Sequence, residues 1–204
     1  MGTALKNSVA AVAAFTLGTG LWAGAAGSAA AAHRAKVQSA NVHDFVTGED
    51  LAGAGILTRE RGRVWANISA SGLGQDAAYT VWWVVFNNPS ACSDPCGSDD
   101  LESLAVDPAI FYATGFITGE DGTANISAHL QAGRIPDGAD TLVDANEDGV
   151  SLRRGNGFKA EIHLIVRSHG PILVGLADQQ IGSFAGACDV NVCADLQAVA
   201  FLPD

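Results

Sequence analysis

Ala160-Glu161-Ile162-His163-Leu164-Ile165-Val166-Arg167-Ser168-His169-Gly170-Pro171 is the clearest strand in the chain. Ile162, Leu164 and Val166 fall on one side of a period-two pattern. Glu161, His163, Arg167 and His169 fall on the other, interrupted by Ile165. Gly170-Pro171 stops the run, because proline has no N–H to give to a neighbouring strand. One face is built for a core and the other displays ionisable groups.

The same period recurs along the chain. Arg63 to Ser71 sets Val64, Ala66, Ile68 and Ala70 against Trp65, Asn67 and Ser69. Ala78 to Asn87, with Tyr79-Thr80-Val81-Trp82-Trp83-Val84-Val85-Phe86, is apolar on both faces and reads as a central strand covered on both sides. Ala109 to Thr118 and Thr123 to Leu130 are two more strands, joined by Gly119-Glu120-Asp121-Gly122 as a hairpin turn. Leu196 to Leu202 makes a last strand. Asn41 to Thr47 reads as a weak edge strand or irregular chain, and His33 to Ala40 as a loose leader. Residues 131–158 are a polar, Gly- and Asp-rich insertion, and residues 172–180 a short helix or loop. No segment after residue 32 sustains a helical period. The pattern predicts an all-β domain over residues 33–204, an antiparallel β-sandwich of about seven to eight strands, with a closed barrel as the alternative.

Residues 1–32 have the layout of a secretory signal peptide. Lys6 precedes an apolar, Ala/Gly-rich run, and Ala29 to Ala32 offer small residues for an Ala-x-Ala cut. The cut is expected after Ala32, which leaves no other stretch apolar enough to span a bilayer. Lys6 is the only charged side chain removed, so all 22 acidic residues remain of a chain whose formal net charge is −11. Such a surface excludes nucleic acid and anionic lipid as partners and leaves a protein or small ligand. The expected location is secreted, periplasmic or the cell envelope.

Cys92-Ser93-Asp94-Pro95-Cys96 and Cys188-Asp189-Val190-Asn191-Val192-Cys193 are two tight local pairs. In an oxidising compartment they read as disulfides Cys92–Cys96 and Cys188–Cys193, each closing a small loop that contributes about 2 kcal/mol. A four-thiolate zinc site built from both pairs is the competing arrangement.

Tyr79 to Pro89, Cys92 with Cys96, Gly122-Thr123-Ala124-Asn125 and Glu161 to Pro171 together resemble an uncharacterised family of exported bacterial proteins. The resemblance covers most of the chain after residue 32 and implies export and a β-sandwich-like fold. It implies no activity. A weaker similarity is to chordin-type β domains, whose paired-histidine motif is not matched.

Glu161 and His163 stand two apart on one strand face, about 7 Å from each other. His129, on the polar face of its own strand, completes a His129/Glu161/His163 set for Zn²⁺ or Cu²⁺ if the two strands pair. His169 lies roughly 20 Å from His163 along a straight strand and marks its exit. Asp144, Asn146 and Asp148, followed by Gly149, resemble the front half of a calcium loop. The twelfth position is Gly155 rather than Glu, and no helices flank it. No Gly-x-Ser-x-Gly or His-Glu-x-x-His motif is present. The expectation is a non-enzymatic extracytoplasmic binding or structural domain. The alternative is a metal-dependent protein or enzyme that uses the His/Glu cluster.

Overall fold

The computed structural model describes residues 35–93 and 95–203; the expected signal peptide lies outside them. Nine strands follow in order: β1 (Lys36–Asp44), β2 (Asp50–Glu60), β3 (Arg63–Ala70), β4 (Ala77–Phe86), β5 (Pro108–Ile117), β6 (Ala124–Gln131), β7 (Thr141–Asp144), β8 (Glu161–Pro171) and β9 (Ala194–Phe201). A single turn of helix, α1 (Ala177–Gln180), lies between the last two. The strands form one antiparallel sheet, β6-β3-β2-β1-β9-β8-β4-β5-β7, curled into a half-barrel.

The single curled sheet differs from the expected pair of sheets. Alternation reports that each strand has a buried face; it does not report whether those faces belong to two sheets or to one that bends. Here the seam between β1 and β9 is only two residue pairs wide, His43↔Ala198 and Asp44↔Gln197. Across it the inner faces meet. Gly55 in β2 lies so close to β9 that a Cβ there would sit 2.5 Å from Val199 Cγ2 and 2.9 Å from Phe201 Cζ. A side chain at this position would hold the two halves apart.

The concave face holds the main core. Leu57, Val64, Ile68, Tyr79, Val81, Trp83, Phe111, Leu130, Ile162, Leu164, Val199 and Phe201 are all buried in one cluster. Large side chains in such positions contribute about 1.5–3 kcal/mol each. A second cluster lies on the convex face, where Trp82, Val84 and Phe86 pack with Cys96, Val106 and Ile110. All ten residues of β4 are therefore buried, as its two-sided apolar pattern predicts.

Local turn chemistry does not fix pairing. Residues 119–122 do reverse the chain, with the Gly122 N–H bonded to the Gly119 carbonyl at 3.2 Å. The strands on either side do not form the expected hairpin, because β6 pairs with β3 from Arg63↔Gln131 to Ala70↔Ala124 and β5 pairs with β4 and β7. β1 begins at Lys36, inside the expected leader, and continues through the expected edge strand to Asp44; β2, for which the sequence pattern predicts no element, is also a strand. So is β7, inside the polar insertion.

Candidate functional site

Where β4 ends and β8 begins, the loop after β4 and the loop before β8 meet Leu202 and Pro203 and leave an open cleft of about 980 Å³. Asn88, Ser90, Asp107, Arg153, Lys159 and Glu161 contribute to its lining, and Cys92 borders it. The walls are tied together by side chains. Asn87 donates to the Ser151 carbonyl at 3.0 Å and accepts from the Arg153 N–H at 2.7 Å. Asn156 donates to the Asn87 carbonyl at 2.8 Å, and Asn88 to that of Ala105 at 2.8 Å. Asn87 is buried, and amides satisfied in this way fix loop geometry.

Arg153 grips Asp107 with two nitrogens, at 2.5 and 2.8 Å, and reaches Asp148 with the third at 2.7 Å. The hydrogen bonds that Arg153 donates to Asp107 raise the Arg153 pKa, and the one it donates to Asp148 lowers that of Asp148. Asp107 is held at φ +58°, a conformation an L residue keeps only when its surroundings enforce it. Behind the cleft, Arg59 is fully buried. Its Nη1 donates to the carbonyls of Gly157 and Ala160, and its Nη2 to those of Phe201 and Leu202. It thereby anchors both segments that carry Lys159 and the chain end. Arg153 is neutralised by its own carboxylates, whereas no described residue pairs with the ammonium of Lys159.

Glu161 and His163 do come together. His163 Nε2 lies 2.7 Å from Glu161 Oε1, with Glu161 buried, and the imidazole stands edge-on to Phe86 at 5.3 Å. His129 is not brought to them. It lies on β6, and β3, β2, β1 and β9 separate that strand from β8 in the sheet. Its ring sits 5.8 Å from Trp65, beside Glu60 and Arg63. A metal on this face would have two protein ligands, and binding it would break the hydrogen bond they share. Pairing of β6 with β3 rather than with β8 is what separates the set.

The oxygens of the calcium-like loop are used within the fold. Asp144 Oδ2 accepts the Gly149 N–H at 2.7 Å, and Asn146 donates to Asp107. Asp148 accepts the Val150 N–H and takes Arg153, so a guanidinium occupies the place a cation would take. Both disulfides are formed, Cys92–Cys96 at 2.03 Å and Cys188–Cys193 at 1.97 Å. The first pins the loop bordering the cleft, and buried Asp100 completes it by accepting the N–H groups of Ser93 and Gly97.

Sequence reasoning missed the buried polar pocket around His169. Its imidazole is fully buried on the convex side. Nδ1 is 2.9 Å from the Gly186 carbonyl, which only accepts, so Nδ1 carries the proton. Nε2 then accepts from Thr80 Oγ1 at 2.9 Å, and that hydroxyl accepts from Trp82 Nε1 at 2.8 Å. Burial pushes the His169 pKa down. Gly186 approaches α1 so closely that a Cβ would sit 1.9 Å from the Gln179 carbonyl oxygen. The returning chain, residues 172–193, creates this pocket; the signal in the sequence is the Gly170-Pro171 stop followed, after residues 172–187, by a second cysteine pair.

Compared with protein-family models, curated proteins and solved structures, the chain matches none.

Proposed function

We propose that this is an exported, non-enzymatic binding domain whose ligand site is the cleft beside Glu161, and that its ligand is a small polar molecule carrying an anionic group. The preorganised cleft carries this reading. Asn87, Asn156, Arg153 and Arg59 hold its walls before any ligand arrives, which lowers the ordering entropy that binding must overcome. Lys159 supplies the chemistry, as a lining cation not already matched by a carboxylate of the fold. The signal-like leader, the two disulfides and the resemblance to exported bacterial proteins support an extracytoplasmic location.

The test is amide NMR on the disulfide-intact protein, titrated separately with acetate, inorganic phosphate, glutamate and, as a neutral control, glucose. Saturable shifts at Asn88, Ser90, Asn156 and Lys159 with at least one anion, and weaker ones with glucose, are expected. No saturable response with any anion, or responses confined to residues outside the cleft, would overturn the proposal.

A further inference from the structure

The cleft does not use the pocket around His169, and that pocket has the makings of a second site. His169 Nδ1 lies 3.5 Å from Cys193 Sγ and 3.8 Å from Cys188 Sγ. We propose that reduction of Cys188–Cys193 converts this cluster into a two-thiolate, one-imidazole site for a soft divalent cation such as Zn²⁺, closed while the disulfide is intact.

The distances fit the ion. Zinc at about 2.3 Å from sulfur and 2.0–2.1 Å from nitrogen, in tetrahedral geometry, places S and N about 3.6 Å apart, and the observed separations bracket that value. The sulfurs must part to about 3.8 Å in that geometry, and the Gly186 carbonyl, which now accepts the Nδ1 proton at 2.9 Å, must give up that bond to the ion. The loop does not depend on the disulfide for its position. Asn191, within it, donates to the carbonyls of His169 and Pro171 at 2.8 and 2.9 Å, and buried Gln180 donates to the same two carbonyls at 3.0 Å. The thiolates would therefore remain over the imidazole after the bond opens.

The support behind the imidazole also suits a ligand. When Nδ1 binds metal, its proton moves to Nε2, where Thr80 Oγ1 is already in place to accept it. A metal-bound histidine usually donates its far N–H to such a partner, which fixes the ring. Cys188 and Cys193 are partly exposed, so a reductant reaches them and the fourth coordination position opens toward solvent. The Cys92/Cys96/Asp100 cluster lacks these features, because both Asp100 oxygens are already taken by backbone N–H groups.

The chemistry balances with a dithiol as reductant. Its two thiols become a disulfide, and two electrons and two protons convert Cys188–Cys193 to two thiols. The cation then displaces both thiol protons, while the imidazole proton is relocated rather than lost.

The experiment uses the Cys92→Ser/Cys96→Ser chain, reduced with dithiothreitol, freed of reductant under argon and titrated with Co²⁺ and then Zn²⁺. About one equivalent should bind, with a thiolate-to-cobalt absorption band that Zn²⁺ abolishes. The oxidised protein should show no band. His169→Gln should weaken binding at least about tenfold. Folded, fully reduced protein that binds no metal would overturn the proposal, as would unchanged binding in His169→Gln. Should the double variant not fold, the same titration of wild-type protein and of His169→Gln decides by the same criterion.

Discussion

Replacing Arg59 with Met removes the clamp behind the cleft while keeping a long apolar side chain in its place. The guanidinium makes three fully buried hydrogen bonds, to the carbonyls of Gly157, Ala160 and Phe201, and part-buried ones to the Leu202 carbonyl and to Gln38 Oε1. The carbonyls of Gly157, Ala160 and Phe201 would lose these donors deep in the fold, at about 1–3 kcal/mol each. Relief of the desolvated charge offsets part of that loss. The net destabilisation should be about 3–5 kcal/mol, a large fraction of a small domain's stability. Lysine should not rescue it, since one ammonium cannot reach carbonyls on two chain segments in a fork geometry. The assay is urea unfolding at constant m, compared with wild type by the shift in midpoint. A loss below about 1 kcal/mol would refute the reasoning, because it would mean that the carbonyls find other donors and the cleft walls stand without Arg59.

Three further outcomes follow from individual contacts. His169 has a depressed pKa in the folded state, so the unfolded chain binds its proton first. Its contribution is present above the ordinary histidine value near pH 6.5 and is lost as pH falls below it, with a slope of at most about 1.4 kcal/mol per pH unit. Between pH 7 and 5, urea midpoints should therefore fall more in wild type than in His169→Gln; parallel curves would count against the buried neutral imidazole. Gly55→Val should destabilise by at least about 1–3 kcal/mol, since Val199 and Phe201 fill the space its side chain would need; an unchanged midpoint would contradict the close meeting of β2 with β9. Cys92→Ser/Cys96→Ser should lose only about 2 kcal/mol by loop closure and stay folded, as calorimetry would show. Unfolding at room temperature would mean that the pair supports the domain rather than one loop.

What the sequence revealed depended on how local the determinant was. β4 is legible from its unbroken β-branched and aromatic run, Val81 to Phe86, and β8 from the period-two alternation of Ile162-His163-Leu164. β2 was not, because Leu51-Ala52-Gly53-Ala54-Gly55 has neither β-branched nor aromatic residues, and its glycines serve the curl instead. The Glu161–His163 contact is set two residues apart on one strand and was legible for that reason. His129 was placed on the correct kind of face, but whether it meets His163 depends on strand order, which no local pattern encodes. The calcium-like run has real turn chemistry at Asp144 and Gly149. Its acidic oxygens are spent on Arg153 and backbone N–H groups that only the folded loops bring near. Local pattern marks His169 only as a strand exit, because the segment that buries it arrives later in the chain.

The most direct test of the cleft as a binding site is the affinity of the strongest anion from the NMR titration, measured for wild type and for Lys159→Ala. Removal of a charge-assisted contact should weaken binding about tenfold or more and leave the unfolding midpoint unchanged, because the Lys159 ammonium makes no hydrogen bond or ion pair with the described residues. Equal affinities in the two proteins would contradict the account.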